Sequence, residues 1–141
     1  MRKILIGSAI LLSSSLCVAS GSIVCPNINC NGLLSTCKAT DARFYVDPNQ
    51  YQPDKNTFVG TAHPRSAFAD LRDNQVGCRY EFVARQHLSP HPPINVTLVA
   101  TINGRPDLSS KHWFQILPGL GSYTCELGDS EITTICPIIP N

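Results

Sequence analysis

The side chains here with the most latent chemistry are seven cysteines and four histidines. A zinc site draws its ligands from close pairs such as two C-x-x-C units. Cys25, Cys30, Cys37, Cys78, Cys125 and Cys136 are instead separated by four, six, forty, forty-six and ten residues, which supplies no such pair. The absence of C-x-x-C also removes the usual signature of a dithiol oxidoreductase. Read as a framework, these six cysteines make three disulfides of the kind that staple small exported domains. Cys125 is expected to bond Cys136, each alternating in phase with its apolar neighbours on two strands of a hairpin that turns at about residues 129–132. Cys78 is expected to tether one of Cys25, Cys30 or Cys37.

The histidines offer less. His87 and His91 bracket Pro90, and Pro92 and Pro93 follow, so no helix can bring the two onto one face as paired ligands. The segment reads as a stiff, exposed connection. With Met1 the only methionine, soft thioether ligands for copper are missing as well. A hydrolase would use His112 or His63 as base with an acid to orient it. No G-x-S-x-G elbow, H-E-x-x-H helix or glycine-rich phosphate loop accompanies either residue. No pattern calls for a cofactor or a metal.

Aromatic residues give a further reading: Trp113, Tyr45 and Tyr51 are large rings suited to stacking on a sugar or anchoring a protein partner. Of the three, Tyr51, within the polar stretch Gln50, Gln52 and Pro53, is the one expected at the surface. Asn95-Val96-Thr97 matches an N-glycosylation sequon, a pattern that matters in a glycosylating secretory route.

Arg2 and Lys3, then an apolar run from Ile4 to Leu12, then small residues around Ala19 and Ser20 read as a cleavable secretory signal over residues 1–20. Neither Leu16 before Cys17 nor Val24 before Cys25 suits a lipidated cysteine. Loss of the signal removes Cys17 and leaves nine basic against ten acidic residues, one net negative charge. Arg65, Arg72, Arg79, Arg85, Arg105 and Lys111 are dispersed among acids, which does not build a phosphate-binding surface for nucleic acid. No later apolar stretch approaches the ~20 residues of a membrane span. Residues 21–141 are the size of one domain.

The elements that position these groups read as strands separated by Pro, Gly, Asn and Asp. Residues 43–46 and 57–62 make two short strands. In residues 78–85, Cys78, Tyr80, Phe82 and Ala84 share one face. Residues 94–102 alternate most clearly, with Ile94, Val96, Leu98, Ala100 and Ile102 together, and Asn103-Gly104 is expected to end the strand with positive φ. Residues 111–117, 122–127 and 132–139 follow as strands. Residues 66–72 have Phe68 and Leu71 at helical spacing and read as two helical turns, and residues 31–38 as one turn. The expected fold is a mainly β antiparallel sandwich or barrel-like domain, stapled by disulfides, with at most one or two short helices.

This composition points to an exported binding protein, secreted or periplasmic, whose ligand is a protein or a carbohydrate. The small secreted hydrolase and a structural component of the cell envelope stand as alternatives. Contacts are expected on the loops at residues 49–56, 86–93 and 105–110, with Tyr51, His87, His91 and Arg105 as the binding residues.

Overall fold

Two long strands, β6 (Gln75–Gln86) and β7 (Ile94–Pro106), are paired antiparallel from Gln75 opposite Asn103 to Ala84 opposite Ile94. A computed structural model describes residues 21–51, 54–88, 90–126 and 136–141. The expected secretory signal at residues 1–20 lies outside the described residues, as does the expected turn at residues 129–132.

Around this pair the chain is mainly β and antiparallel, and its sheet is not closed, so the barrel-like alternative gives way to an open, sandwich-like arrangement. One edge of β6 is shared by two strands. Its first half pairs with β5 (Pro64–Asp70), and its last residues, Arg85 and Gln86, pair with β4 (Asn56–Ala62). From β4 a smaller layer continues through β1 (Ile28–Leu33) to β2 (Lys38–Ala39). From β5 the main layer continues through β9 (Ser122–Glu126) to β8 (Phe114–Gln115). The outer edge of β7 carries β3 (Tyr45–Val46) and β10 (Ile138–Pro140).

The inward face of β6 fastens the layers. Cys78, Tyr80 and Ala84 are fully buried. Cys78 is bonded to Cys25, and the Tyr80 hydroxyl donates to the Pro26 carbonyl at 2.6 Å. Phe82 on the same face meets Phe58 of β4, with ring centroids 4.4 Å apart. Burial pushes the Tyr80 phenol well above its ordinary value of 10.0. The other bridges join Cys30 to Cys37 and Cys125 to Cys136. Three disulfides fit maturation in an oxidising compartment. No helix among the described residues is long and apolar enough to cross a membrane.

Several expectations are corrected. Residues 66–72 are not helical: β5 runs to Asp70, held by ladders on both edges, which override a weak helical spacing. The only helical element among the described residues is a single 3-10 turn, Leu34–Thr36, inside the segment read as one turn. Asn103 and Gly104 do not end β7. At Gly104 a Cβ would stand 2.6 Å from the Ile139 carbonyl oxygen, so glycine admits β10 rather than a turn. Of residues 43–46 only Tyr45 and Val46 are strand, because Arg43 closes a turn on Asp41. Residues 111–117 shorten to Phe114–Gln115. The Cys125–Cys136 bond forms as expected, tying β9 to the residue pair before β10, while most of the expected hairpin between the two cysteines lies outside the described residues. The Cα separation of 5.9 Å is in the range a cystine requires.

Stability should follow loop length. The Cys25–Cys78 bond closes 53 residues and Cys30–Cys37 closes 7, which the chain-entropy model rates at about 4 and about 2 kcal/mol. Urea unfolding of the paired alanine variants should show the larger loss for Cys25/Cys78. Tyr80→Phe should lower stability at neutral pH by about 1–2 kcal/mol, because the Pro26 carbonyl loses its donor. The folded state holds the Tyr80 proton where the unfolded chain releases it, so stability falls as pH rises above 10.0. That alkaline decline should be shallower in Tyr80→Phe.

Candidate functional site: the open face of the main sheet

Since side chains alternate along a strand, the inward residues of β6 leave Gly77, Arg79, Glu81, Val83 and Arg85 on the opposite face. Directly paired residues on neighbouring strands share a face. One row can therefore be followed across six strands: Tyr45 on β3, Thr101 on β7, Gly77 on β6, Phe68 on β5, Thr124 on β9 and Phe114 on β8. Aromatic rings and small residues are interleaved along it.

Exposure follows the alternation. Tyr45 is 62% and Phe114 is 61% exposed, while Phe68 is half-buried. The Phe68 ring lies over Gly77, where any Cβ would come within 2.2 Å of it. The Arg79 guanidinium stands 5.6 Å from the same ring's centroid, a cation–π contact. The Thr124 hydroxyl donates to the Ala67 carbonyl at 3.4 Å. Strand spacing places Tyr45 about 14 Å and Phe114 about 10 Å from Phe68, three and two steps of ~4.8 Å. Each step adds about 20° of twist, so the row turns by roughly a quarter-circle from end to end.

Polar residues flank the row. Gln75, Asn103 and Ser122 lie on one side, and Ser66, Arg79 and Glu126 on the other. At the end of β5, the Asp70 carboxylate accepts from the Arg72 side chain and backbone amide, contacts that hold its pKa down to about 2 although it is solvated. That contact is complete above the ordinary carboxylate value of 3.8 and is lost as pH falls through about 2. Asp41 and Arg43 repeat the arrangement beside β3, and Arg43 likewise lowers the Asp41 pKa. Beyond Phe114 the surface becomes apolar, with Ile116, Leu117 and Leu120 all about half exposed.

The residues expected to bind fall at two ends of the β6–β7 pair. Tyr51 is exposed in the loop after β3, its carbonyl accepting from the Asn56 side chain. His87 and His91 are exposed at the turn between β6 and β7, and Arg105 stands near the far end of β7, opposite Ile139. The eleven residue steps from Ile94 to Arg105 span ~37 Å, so Arg105 stands apart from His87 and His91, whereas Tyr51 lies toward the His87 end, bonded to Asn56, which pairs with Gln86. Tyr45, read as interior, is at the surface. Trp113 is buried instead, and its indole N–H donates to the Pro137 carbonyl at 2.9 Å. The Nδ1 of His63 pairs with the Asn27 side-chain oxygen at 2.9 Å, and His112 is half-buried after Ser110, whose hydroxyl accepts its amide. An amide partner gives His63 no carboxylate to orient it. Among the described residues no three His, Cys, Asp or Glu side chains gather as a metal site. Sequence alternation could have grouped Thr101 with Val99 and Arg79 with Gly77, but the cross-strand row needed the register.

Neither family models nor curated proteins nor solved structures match this chain.

Gly77→Ala should drive the Phe68 ring off the sheet. Overpacking of this kind costs about 1–3 kcal/mol. Thermal unfolding measures the loss, and the Phe68 ring proton resonances should move with it.

Proposed function

We propose that this is an exported binding protein, secreted or periplasmic after removal of residues 1–20, that holds an extended carbohydrate chain on the open face of its main sheet. The row of Tyr45, Phe68 and Phe114 separated by Thr101, Gly77 and Thr124 carries the reading. Sugar rings present C–H faces that stack on aromatic rings and hydroxyls that need polar partners. The face offers both in alternation. Two strand steps, about 10 Å, match the length of a disaccharide in an extended β-linked glycan. The twist of the row favours a single soluble chain over a flat crystalline surface, since the rings are not coplanar.

A protein partner is the second reading, and the exposed apolar end at Phe114, Ile116, Leu117 and Leu120 favours it. Calorimetric titration with soluble β-linked hexasaccharides of glucose, N-acetylglucosamine and xylose separates the two. Carbohydrate binding requires that at least one bind and that Tyr45→Ala and Phe114→Ala each weaken it about tenfold, equivalent to ~1.4 kcal/mol per ring. Tyr51→Ala should leave it unchanged. Absence of binding to all three, or binding indifferent to both ring variants, overturns the carbohydrate reading.

A further inference from the structure

The outer edge of β7 is covered in pieces. β3 pairs at Ala100 and Thr101, and β10 pairs from Gly104 to Pro106. At Val99 a side chain substitutes for a strand: the Gln50 amide donates to the Val99 carbonyl and its oxygen accepts the Val99 N–H, both at 2.9 Å. In an antiparallel strand the N–H and C=O of one residue point to the same side, and the side alternates along the chain. Val99 faces outward, and Asn103 does too, since its carbonyl accepts from the Asn141 amide. Asn95 and Thr97 therefore also present their backbone groups outward. Among the described residues no strand pairs with that side of residues 94–98.

The sequence there is Ile94-Asn95-Val96-Thr97-Leu98, without charge, proline or bulge. Protein edges that remain single carry such protections. We infer that this open edge of β7 pairs antiparallel with the same edge of a second copy, about a two-fold axis at Val96. The register is self-complementary. Asn95 of one copy stands opposite Thr97 of the other, so the two outward residues exchange both bonds at each end. Val96 then faces Val96, and Ile94 faces Leu98. No charge opposes the approach. The added strand must stop where Gln50 occupies Val99, and the residue due there is Pro93, which lacks an N–H and leads into the connecting segment. The main sheets of two copies thus become continuous, with the aromatic rows at a distance from the seam.

Sedimentation equilibrium of the oxidised protein purified from an exporting host tests this. A concentration-dependent dimer is expected, with the Asn95 and Thr97 amides exchanging at least tenfold more slowly in the dimer. Thr97→Pro removes one outward donor, and Thr97→Lys sets a charge beside the seam. Both variants should weaken association tenfold or more, and circular dichroism should show Thr97→Lys folded. Should Thr97→Pro fail to fold, Thr97→Lys decides alone. A wild-type monomer up to millimolar concentration, or a dimer that Thr97→Lys leaves as tight as wild type, overturns the inference.

Discussion

The pleat of β6 sets what the rest of this protein can be. Successive side chains must point to opposite sides, and the inward side is taken by the fastenings of the smaller layer: Cys78 to Cys25, Tyr80 to Pro26, and Phe82 against Phe58. Among the described residues no second layer covers the outward side. A sheet with one face locked and the other bare has a surface on which residues can be placed for contact without disturbing the core. Tyr45, Phe68 and Phe114 are placed there, and Gly77 gives Phe68 its floor.

Rigid scaffolds usually display their contact residues on loops. Here the described parts of the loops serve the scaffold as well. Gln50 extends the β7 ladder by a side chain, Tyr51 holds Asn56 through its carbonyl, and the His87 amide donates to the Lys55 carbonyl. The Asp70–Arg72 and Asp41–Arg43 turns tie the ends of β5 and the approach to β3. Of the expected binding residues, Arg105 sits at the far end of β7 from His87 and His91, whereas the sheet register gathers residues that lie far apart in sequence.

Much of the frame was legible in the residues. The period-two alternation of β6 and β7 is strong enough to group Cys78, Tyr80, Phe82 and Ala84 on one face. β5 was not legible: Pro64-Arg65-Ser66-Ala67-Phe68-Ala69-Asp70 has small residues at its inward positions, and only pairing with β6 and β9 makes it a strand. The candidate site was hidden for a related reason. Alternation says that Trp113 and Phe114 face opposite ways, not which of them faces the core. Pairing of Phe114 with Thr124, and the Pro137 carbonyl waiting for the Trp113 indole, decide it. Gln50 carries no sequence signal that it closes a ladder.

Hydroxyl-radical footprinting of the native oxidised protein, read residue by residue by mass spectrometry, tests most directly the division into a locked face and a bare one. Tyr45 and Phe114 should oxidise rapidly, and Tyr80 and Trp113 only on unfolding. Rapid modification of Tyr80 or Trp113 in the folded protein, or protection of Tyr45 and Phe114 in the free monomer, would contradict it.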